Sequence, residues 1–456
     1  MSLAAKLAVA RSAGVLARRA GRGGTSLPGK LLLRMAPRAI EELAGRLPEG
    51  SAVISATNGK TTTAAMVSAI LRRRGTTLVH NRAGANMAGG IASTLAASAS
   101  LDGRSVSGRF GLFEVDEFWL GAVTEQLQPR VLLLGNLFRD QLDRYGELET
   151  IAERWSQVTS DLDGRTELVL NADDPLVADL GRHSATATYF GVDDDSLAHP
   201  ELQHASDSKH CRRCGAAYVY DAAYLAHLGH YHCPNCHARR PEPTVVGRAV
   251  ELRGIRSAAF TLHAGSRSAR VELPLPGLYN VYNALGAAAL ALSLGAGLDD
   301  VVAGLGEVEP AFGRAETVTV GGREASLLLV KNPAGANEVL RTLALERREL
   351  DLLGVLNDGI ADGRDVSWVW DADWELLRDG VRHMTCSGTR AAELALRLKY
   401  AGVDERRLTV VEDVPAALDA ALADGAGPLY VLPTYTALIE LKRLLSERGI
   451  SRDYWR

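Results

Sequence analysis

The sequence predicts an α/β fold in two successive units, the first interrupted by a small insertion, and three observations predict it. Strand-like apolar runs at 52–54, 110–115, 131–134 and 168–170 alternate with stretches long enough for helices, the pattern of a largely parallel sheet with covered faces. A second series of such runs begins beyond Val320, near 326–330, 352–356, 383–386, 408–411 and 428–432. Between the two, at about 202–243, four cysteines and most of the histidines crowd together, and this change of texture marks an insertion. The expected units are an N-terminal helical segment (1–48), a central domain (49–316) holding the insertion, and a C-terminal α/β domain (317–456). Within the central domain, 249–275 alternates as an antiparallel region, and a helix rich in Ala and Leu follows Asn283.

A chain of 456 residues has room for two or three cores. Its hydrophobic fraction of 46%, charged fraction of 23% and net charge of −4 are ordinary, so bulk charge points to no polyanionic partner. No apolar run reaches the roughly 18 to 20 residues of a spanning helix, and the opening segment lacks the apolar stretch and cleavage site of a signal peptide. The chain therefore reads as cytoplasmic. Residues 1–48 show helical apolar spacing with Arg11, Arg18, Arg19 and Arg22. They form either an amphipathic helix packed on the body or a basic face resting near a membrane.

The first run leads into a turn and then a helical stretch, the context a phosphate-binding loop demands. That turn reads Ala56-Thr57-Asn58-Gly59-Lys60-Thr61-Thr62-Thr63. The strict Walker pattern fails, because Ile54 stands where its first glycine belongs. The physics is unchanged: Gly59 lets backbone N–H groups approach phosphate oxygens, and a helix N-terminus adds partial positive charge. Lys60 is the candidate for the β/γ-phosphates of ATP, and Thr61 or Thr62 for magnesium; a well-capped helix is the alternative. Scarcity also draws attention to Lys60, since between Leu31 and Asn332 the other lysines are Lys209 and Lys331.

Phosphoryl transfer needs acidic groups to hold the metal. Glu114 ends an apolar strand in Phe113-Glu114-Val115-Asp116-Glu117, the expected place for a magnesium ligand. The next strand ends at Asn136 and runs on through Asp140, Gln141 and Asp143; these aspartates are either metal ligands or helix-capping or surface carboxylates. The cysteines spell Cys211-x-x-Cys214 and Cys233-x-x-Cys236, eighteen residues apart. This spacing matches a zinc ribbon, with disulfides or free thiols as alternatives. His210, His230, His232 and His237 crowd the same site, but four cysteines already close a structural zinc shell. Cys386, at a strand end, reads as packing, and no convincing cysteine–histidine catalytic pair is found.

In the order and spacing of these motifs the chain resembles the Mur ligases. The loop is close to their Gly-Thr-Asn-Gly-Lys-Thr-Thr variant, and 136–143 matches a segment that in the family usually reads Asp-His-Leu-Asp. Here Gln141 replaces the histidine, which leaves a second metal site open. Pro276-Gly277-Leu278-Tyr279-Asn280-Val281-Tyr282-Asn283 resembles the adenine-contacting segment, which implies adenine contacts for Asn280 and Asn283; helix capping by Asn280 is the alternative. Phe312-Gly313-Arg314-Ala315-Glu316 resembles the junction signature, in which Arg314 would touch the phosphates on closure. Lys331-Asn332-Pro333 occupies the place of the first C-terminal motif.

The short segment before the loop implies that the UDP-sugar-binding domain of the cell-wall ligases is lacking. Together with the cysteine insertion and the stretch from Leu356 to Asp371, which contains Asn357-Asp358-Gly359-Ile360-Ala361-Asp362-Gly363-Arg364-Asp365, it resembles the MurT-type synthetase subunits of lipid II isoglutaminyl synthases. The resemblance implies ATP, Mg2+ and Zn2+ as cofactors. It also implies amidation of the D-glutamate α-carboxylate of lipid II through an acyl phosphate. Ammonia would come from a GatD-like glutaminase subunit, in a complex drawn to the membrane by its lipid-linked substrate. It further implies an aspartate that orients the glutaminase histidine, Asp362 first and Asp358 second, although Asp-Gly is also a common turn dipeptide. A folylpolyglutamate synthase-like ligase and a nucleotide-dependent scaffold are the competing expectations.

Overall fold

The apolar run after Gly50 becomes β1 (Ser51–Ser55), buried at every residue, as a central parallel strand covered on both faces requires. The computed structural model describes residues 2–19, 26–81, 85–140, 148–184, 186–199, 202, 206–309, 314–346, 349–425 and 427–450. Helices α1 (Leu3–Arg19), α2 (Leu27–Met35) and α3 (Ala39–Ala44) precede β1. After it come α4 (Lys60–Arg73), β2 (Leu78–His80), α5 (Ala88–Ser98), β3 (Phe110–Glu114), α6 (Leu120–Leu127) and β4 (Val131–Leu134). The alternation continues through α7 (Leu148–Ser160), β5 (Glu167–Asn171), α8 (Pro175–Ala178) and β6 (Ala187–Val192).

The insertion folds as a hairpin, β7 (Val219–Leu225) and β8 (Leu228–His232). Strands β9 (Val245–Arg253), β10 (Ser257–Ala264) and β11 (Arg267–Leu273) then form the expected antiparallel region. They extend the parallel strands into a sheet of order β11-β10-β9-β6-β5-β4-β1-β3-β2. Because β4 and β3 flank β1, the strand order reverses there, and ligands of open α/β sheets bind at the carboxyl ends beside such a reversal. Helix α9 (Leu278–Ser293) starts before Asn283, so both candidate asparagines lie inside it, and it is buried along most of its length. Helix α10 (Leu298–Gly306) closes the unit.

The second unit holds β12 (Arg314–Val320), β13 (Arg323–Leu328), α11 (Pro333–Ala344), β14 (Leu350–Val355) and β15 (Val381–Ser387). It ends with α12 (Ala391–Tyr400), β16 (Leu408–Val410), α13 (Val414–Ala423), β17 (Leu429–Pro433) and α14 (Tyr435–Glu447). Its sheet has the order β12-β13-β17-β14-β15-β16. Strand β12 begins at Arg314 rather than 317 because it is the antiparallel partner of β13. Here too the order reverses, with β14 between β17 and β15.

The packing expected of the N-terminal segment is present, while Arg22 and the side chains of Arg18 and Arg19 lie outside the described residues. Leu7 and Ala10 are fully buried, and Arg11 donates from Nε to the Ala96 carbonyl at 2.8 Å and from Nη2 to that of Ala99. Those carbonyls end α5, so the guanidinium satisfies orphan acceptors at the negative end of a helix dipole. Arg11→Ala is expected to cost about 1–2 kcal/mol, read as a drop of a few degrees in Tm. No helix among the described residues is long and apolar enough to cross a membrane.

Candidate functional site

The loop 56–63 sits on the carboxyl end of β1 and is held by the end of β4. Asn136 accepts from the Asn58 N–H at 2.9 Å and donates to the Asn58 carbonyl at 3.0 Å, while Thr57 Oγ1 accepts from the Phe138 N–H at 3.1 Å. Gly59 has φ +89°, and a Cβ there would stand 2.0 Å from Asn283 Oδ1. Glycine is therefore required twice over, for its backbone conformation and for the close approach of α9. Asn58, Gly59 and Thr62 line one cavity with Tyr279, Tyr282 and Asn283. Asn280 lies beneath it: its Nδ2 donates to the Pro276 carbonyl at 2.7 Å, and its Oδ1 accepts from Asn283 at 3.1 Å. It orients Asn283 and does not act as the N-cap, which is Gly277.

Lys60 donates to Glu117 Oε2 at 2.8 Å and to the Ala56 carbonyl. Burial pulls the Lys60 pKa down, but Glu117 and Asp116 outweigh it, and the net shift is upward. Glu117 responds in reverse: burial raises its pKa, and Lys60 and Lys331 pull it below the usual range. Both groups are thus held charged. Thr61 Oγ1 donates to Glu114 Oε2 at 2.8 Å, so Thr61 rather than Thr62 faces that carboxylate. The other oxygen, Glu114 Oε1, is buried without a hydrogen bond and faces His80 Nε2, equally unsatisfied, at 3.6 Å. A hydroxyl, an orphaned carboxylate oxygen and an imidazole fit a divalent cation at the foot of the loop. His80 carries no sequence signal of its own; β2 brings it beside β3.

From the second unit, Lys331 Nζ reaches the Thr57 carbonyl at 3.3 Å and pairs with Asp140. Asn332 and Asn58 exchange side-chain hydrogen bonds at 3.1 and 3.3 Å. The C-terminal motif thus docks on the loop. Gln141, Asp143 and the Arg314 side chain lie outside the described residues. Glu338, on α11, lines the cavity; burial pushes its pKa up to about 7, with Arg341 pulling only partly back. A carboxyl whose folded pKa exceeds its ordinary 4.5 costs nothing below that pH and loses stability as pH rises through about 7. Glu338→Gln is accordingly expected to raise Tm at pH 8 and leave it unchanged at pH 4, as calorimetry would show.

The Asp-rich turn sits over the strand reversal of the second sheet, and its aspartates differ. Asp362 is buried at 5% exposure; its Oδ1 accepts from the Thr436 N–H at 2.7 Å and its Oδ2 from the Thr436 hydroxyl, so it caps α14. Burial raises its pKa and the Thr436 bonds pull back, leaving a net rise. Asp358 is more open, paired with Arg390 at 2.9 Å and bonded by the Thr389 hydroxyl at 2.8 Å. Asp365 Oδ1 accepts from the Ser367 N–H. Asp362, Asp365 and Trp368 line a cavity whose far wall is Asp140, Lys331 and Asn332. Trp370 is half exposed against Tyr400, ring centroids 5.8 Å apart.

All four insertion cysteines converge. Cys211 and Cys236 sulfurs are 3.5 Å apart, Cys214 and Cys233 3.4 Å, and the four lie within 4.8 Å of one another. Tetrahedral thiolates at about 2.3 Å from zinc stand about 3.8 Å apart, whereas a disulfide holds its sulfurs at about 2.05 Å. The cluster fits zinc and is not disulfide-bonded. The nearby histidines have other partners, His230 the Val192 carbonyl and His232 Asp221. Cys386 is fully buried and its thiol is pushed up to about 12 by burial, which makes it packing.

Family profiles match two stretches of the chain: "Mur ligase middle domain" over 54–238 and "MurT ligase C-terminal" over 329–438. The chain is 33% identical to "Lipid II isoglutaminyl synthase (glutamine-hydrolyzing) subunit MurT" of Streptococcus pneumoniae, over 98% of this chain and 97% of the relative. It is 32% identical to the protein of that name from Staphylococcus aureus, over 96% of each. Among solved structures it is similar to a pseudomurein peptide ligase type C from Methanothermus fervidus (TM-score 0.67, 22% identity, 89% of this chain and 80% of that one). It is also similar to the Mycobacterium tuberculosis folylpolyglutamate synthase (TM-score 0.61, 18% identity, 94% and 99%); at these identities the likeness is one of fold. Similarity over nearly the whole length, spanning both units and the cysteine insertion between them, shows that the chain belongs to the MurT family of Mur ligase-type, ATP-dependent ligases.

Proposed function

We propose that the chain is the ATP-using subunit of a glutamine-dependent amidotransferase that converts the D-glutamate α-carboxylate of the lipid II stem peptide to D-isoglutamine at the inner face of the membrane. The near full-length similarity to the Streptococcus pneumoniae protein of that activity supports the substrate. The observation that carries the chemistry is the docking of Lys331 and Asn332 on the loop, which brings ammonium groups from both units, Lys60 and Lys331, to the same Thr57 carbonyl.

An ionised carboxylate does not react usefully with ammonia, because its carbonyl is deactivated and oxide is a poor leaving group. Phosphorylation removes both obstacles. The carboxylate oxygen attacks the γ-phosphorus of ATP, ADP leaves, and an acyl phosphate forms; ammonia then adds to the carbonyl carbon, phosphate departs with its oxygen, and a proton is lost. In this scheme Lys60 and Lys331 hold charge on the transferring group, and Gly59 with the start of α4 receives phosphate oxygens. Thr61 and Glu114, with His80 beside them, would hold magnesium, which when bound spreads charge from the β- and γ-phosphates. Asn283, oriented by Asn280, faces the adenine side, and Arg314 is assigned to the phosphates. Zinc on the four cysteines is structural.

Ammonia is assigned to a separate GatD-like glutaminase, since none of the chain's cysteines is a free nucleophile: four cluster together and Cys386 is buried. The cavity lined by Asp362, Asp365 and Lys331 is assigned as the route by which ammonia reaches the acyl phosphate. The test is amidation of lipid II with ATP and glutamine, with and without the co-purified glutaminase, read by mass spectrometry of the stem peptide. A loss of one mass unit, dependent on glutaminase, is expected. Ligation of free glutamate would instead indicate a folylpolyglutamate synthase-like activity, and absence of turnover a scaffold.

A further inference from the structure

We infer that the cysteine insertion is a working part of the nucleotide site: the closed end of its hairpin forms one wall of the pocket for the nucleoside of ATP, and the metal cluster at its open end holds that wall in place. The inference rests on 56–63 being the phosphate loop. Leu225 ends β7 and Leu228 begins β8; both are buried, and both line the cavity that Asn58, Gly59, Tyr279 and Asn283 share. Apolar side chains sharing a cavity with the Asn283 carboxamide suit a purine base, which is desolvated on its flat side and hydrogen-bonded at its edge. Ala226 takes φ +49° to turn the chain between the leucines.

The tip is tied to the loop and to α9 by buried contacts. His227 is fully buried; its ring lies 4.9 Å from that of Phe138, and its Nε2 stands 3.4 Å from Asp174 Oδ2. The same Asp174 oxygen accepts from the Leu137 N–H at 2.9 Å, and the next residue, Phe138, is bonded to Thr57. Asp173 joins the other side. Its carbonyl accepts from the Gly229 N–H at 2.9 Å, its Oδ1 from Arg240 at 2.6 Å and its Oδ2 from the Tyr282 hydroxyl at 2.7 Å. Tyr282 itself lines the cavity.

The open end explains why cysteines are needed. Cys214 lies five residues before β7, and Cys233 directly follows β8. A lone two-stranded hairpin is marginal in water, and a metal clamped across its ends converts binding energy into folding energy. From Cys233 to Leu228 is about 17 Å of extended chain, so the clamp acts on the pocket through the hairpin without touching a ligand.

The experiment measures Mg·ADP and Mg·pyrophosphate affinities by calorimetry on the full-length, zinc-loaded protein and its variants. Leu225→Ala and Leu228→Ala are expected to weaken ADP binding about tenfold while leaving pyrophosphate binding unchanged, and Leu228→Met to stay near the parent. Cys236→Ser, with zinc loss verified by metal analysis, is expected to show the same selective loss. As a measurement independent of variant folding, ADP should slow amide hydrogen exchange at 225–228 in the parent protein. Unchanged ADP affinity in both alanine variants, or no protection at 225–228, overturns the inference. Pyrophosphate binding that survives Lys60→Ala would instead overturn the loop assignment, so the two failures are distinguishable.

Discussion

Lys60→Ala is expected to reduce ATP-dependent turnover by about a thousandfold or more, the scale on which loss of a preorganised charge at a transferring group is felt. The side chain is held for that role before any ligand arrives: it bonds the Ala56 carbonyl of its own loop and Glu117 at 2.8 Å. Removing it also leaves the largely buried Glu117 with Lys331 as the cation still acting on it, and an under-compensated buried carboxylate destabilises the fold. Loss of activity alone would therefore be ambiguous. The double variant Lys60→Ala, Glu117→Gln removes the stranded charge, so its Tm is expected to recover most of what the single variant loses while its turnover stays abolished. Turnover near that of the parent in Lys60→Ala would sink the assignment of the loop, and binding of the glutaminase should be unaffected in both variants.

The parts of this site that were legible in the sequence are those whose physics is local. A buried strand, a glycine and a lysine at the start of a helix are contiguous, so the loop could be read without knowing what surrounds it. The cysteine pairs likewise announce themselves by spacing, because each knuckle is a short turn. What could not be read depends on distant approach. Leu225 and Leu228 look like ordinary strand residues until the hairpin is laid against α9. His80 ends a short strand with nothing to mark it, and becomes a candidate ligand through the pairing of β2 with β3. Asp173 collects partners from Gly229, Arg240 and Tyr282, a junction with no sequence period. The Asp-rich turn was visible as chemistry, and the family resemblance put Asp362 ahead of Asp358, but the residues alone give no physical ground for that order, since capping α14 and serving a partner draw on the same residue type.

That ranking gives the second large effect. Asp362→Asn is expected to lower glutamine-driven amidation by up to about ten-thousandfold, the loss seen when a triad loses the acid that orients its histidine. Activity supplied with free ammonia should be spared. A triad acid is held rigid by other donors, and Asp362 is so held by the N–H and hydroxyl of Thr436, while it also lines the cavity leading to Lys331. The Gly359 backbone and the Thr434 hydroxyl add to those bonds and fix the carboxylate further. Asp358 is the contrasting case: its carboxylate is committed to Arg390 and Thr389 at the more open side of the turn, and Asp358→Asn is expected to cost less. Measuring both variants with glutamine and with ammonia, alongside Tm, separates the possibilities. A selective loss of the glutamine reaction in Asp358→Asn alone would move the positioning role to that residue. Equal loss of both reactions in Asp362→Asn, with a lowered Tm, would reduce Asp362 to the cap of α14, because a cap acts on the fold and cannot discriminate between sources of ammonia.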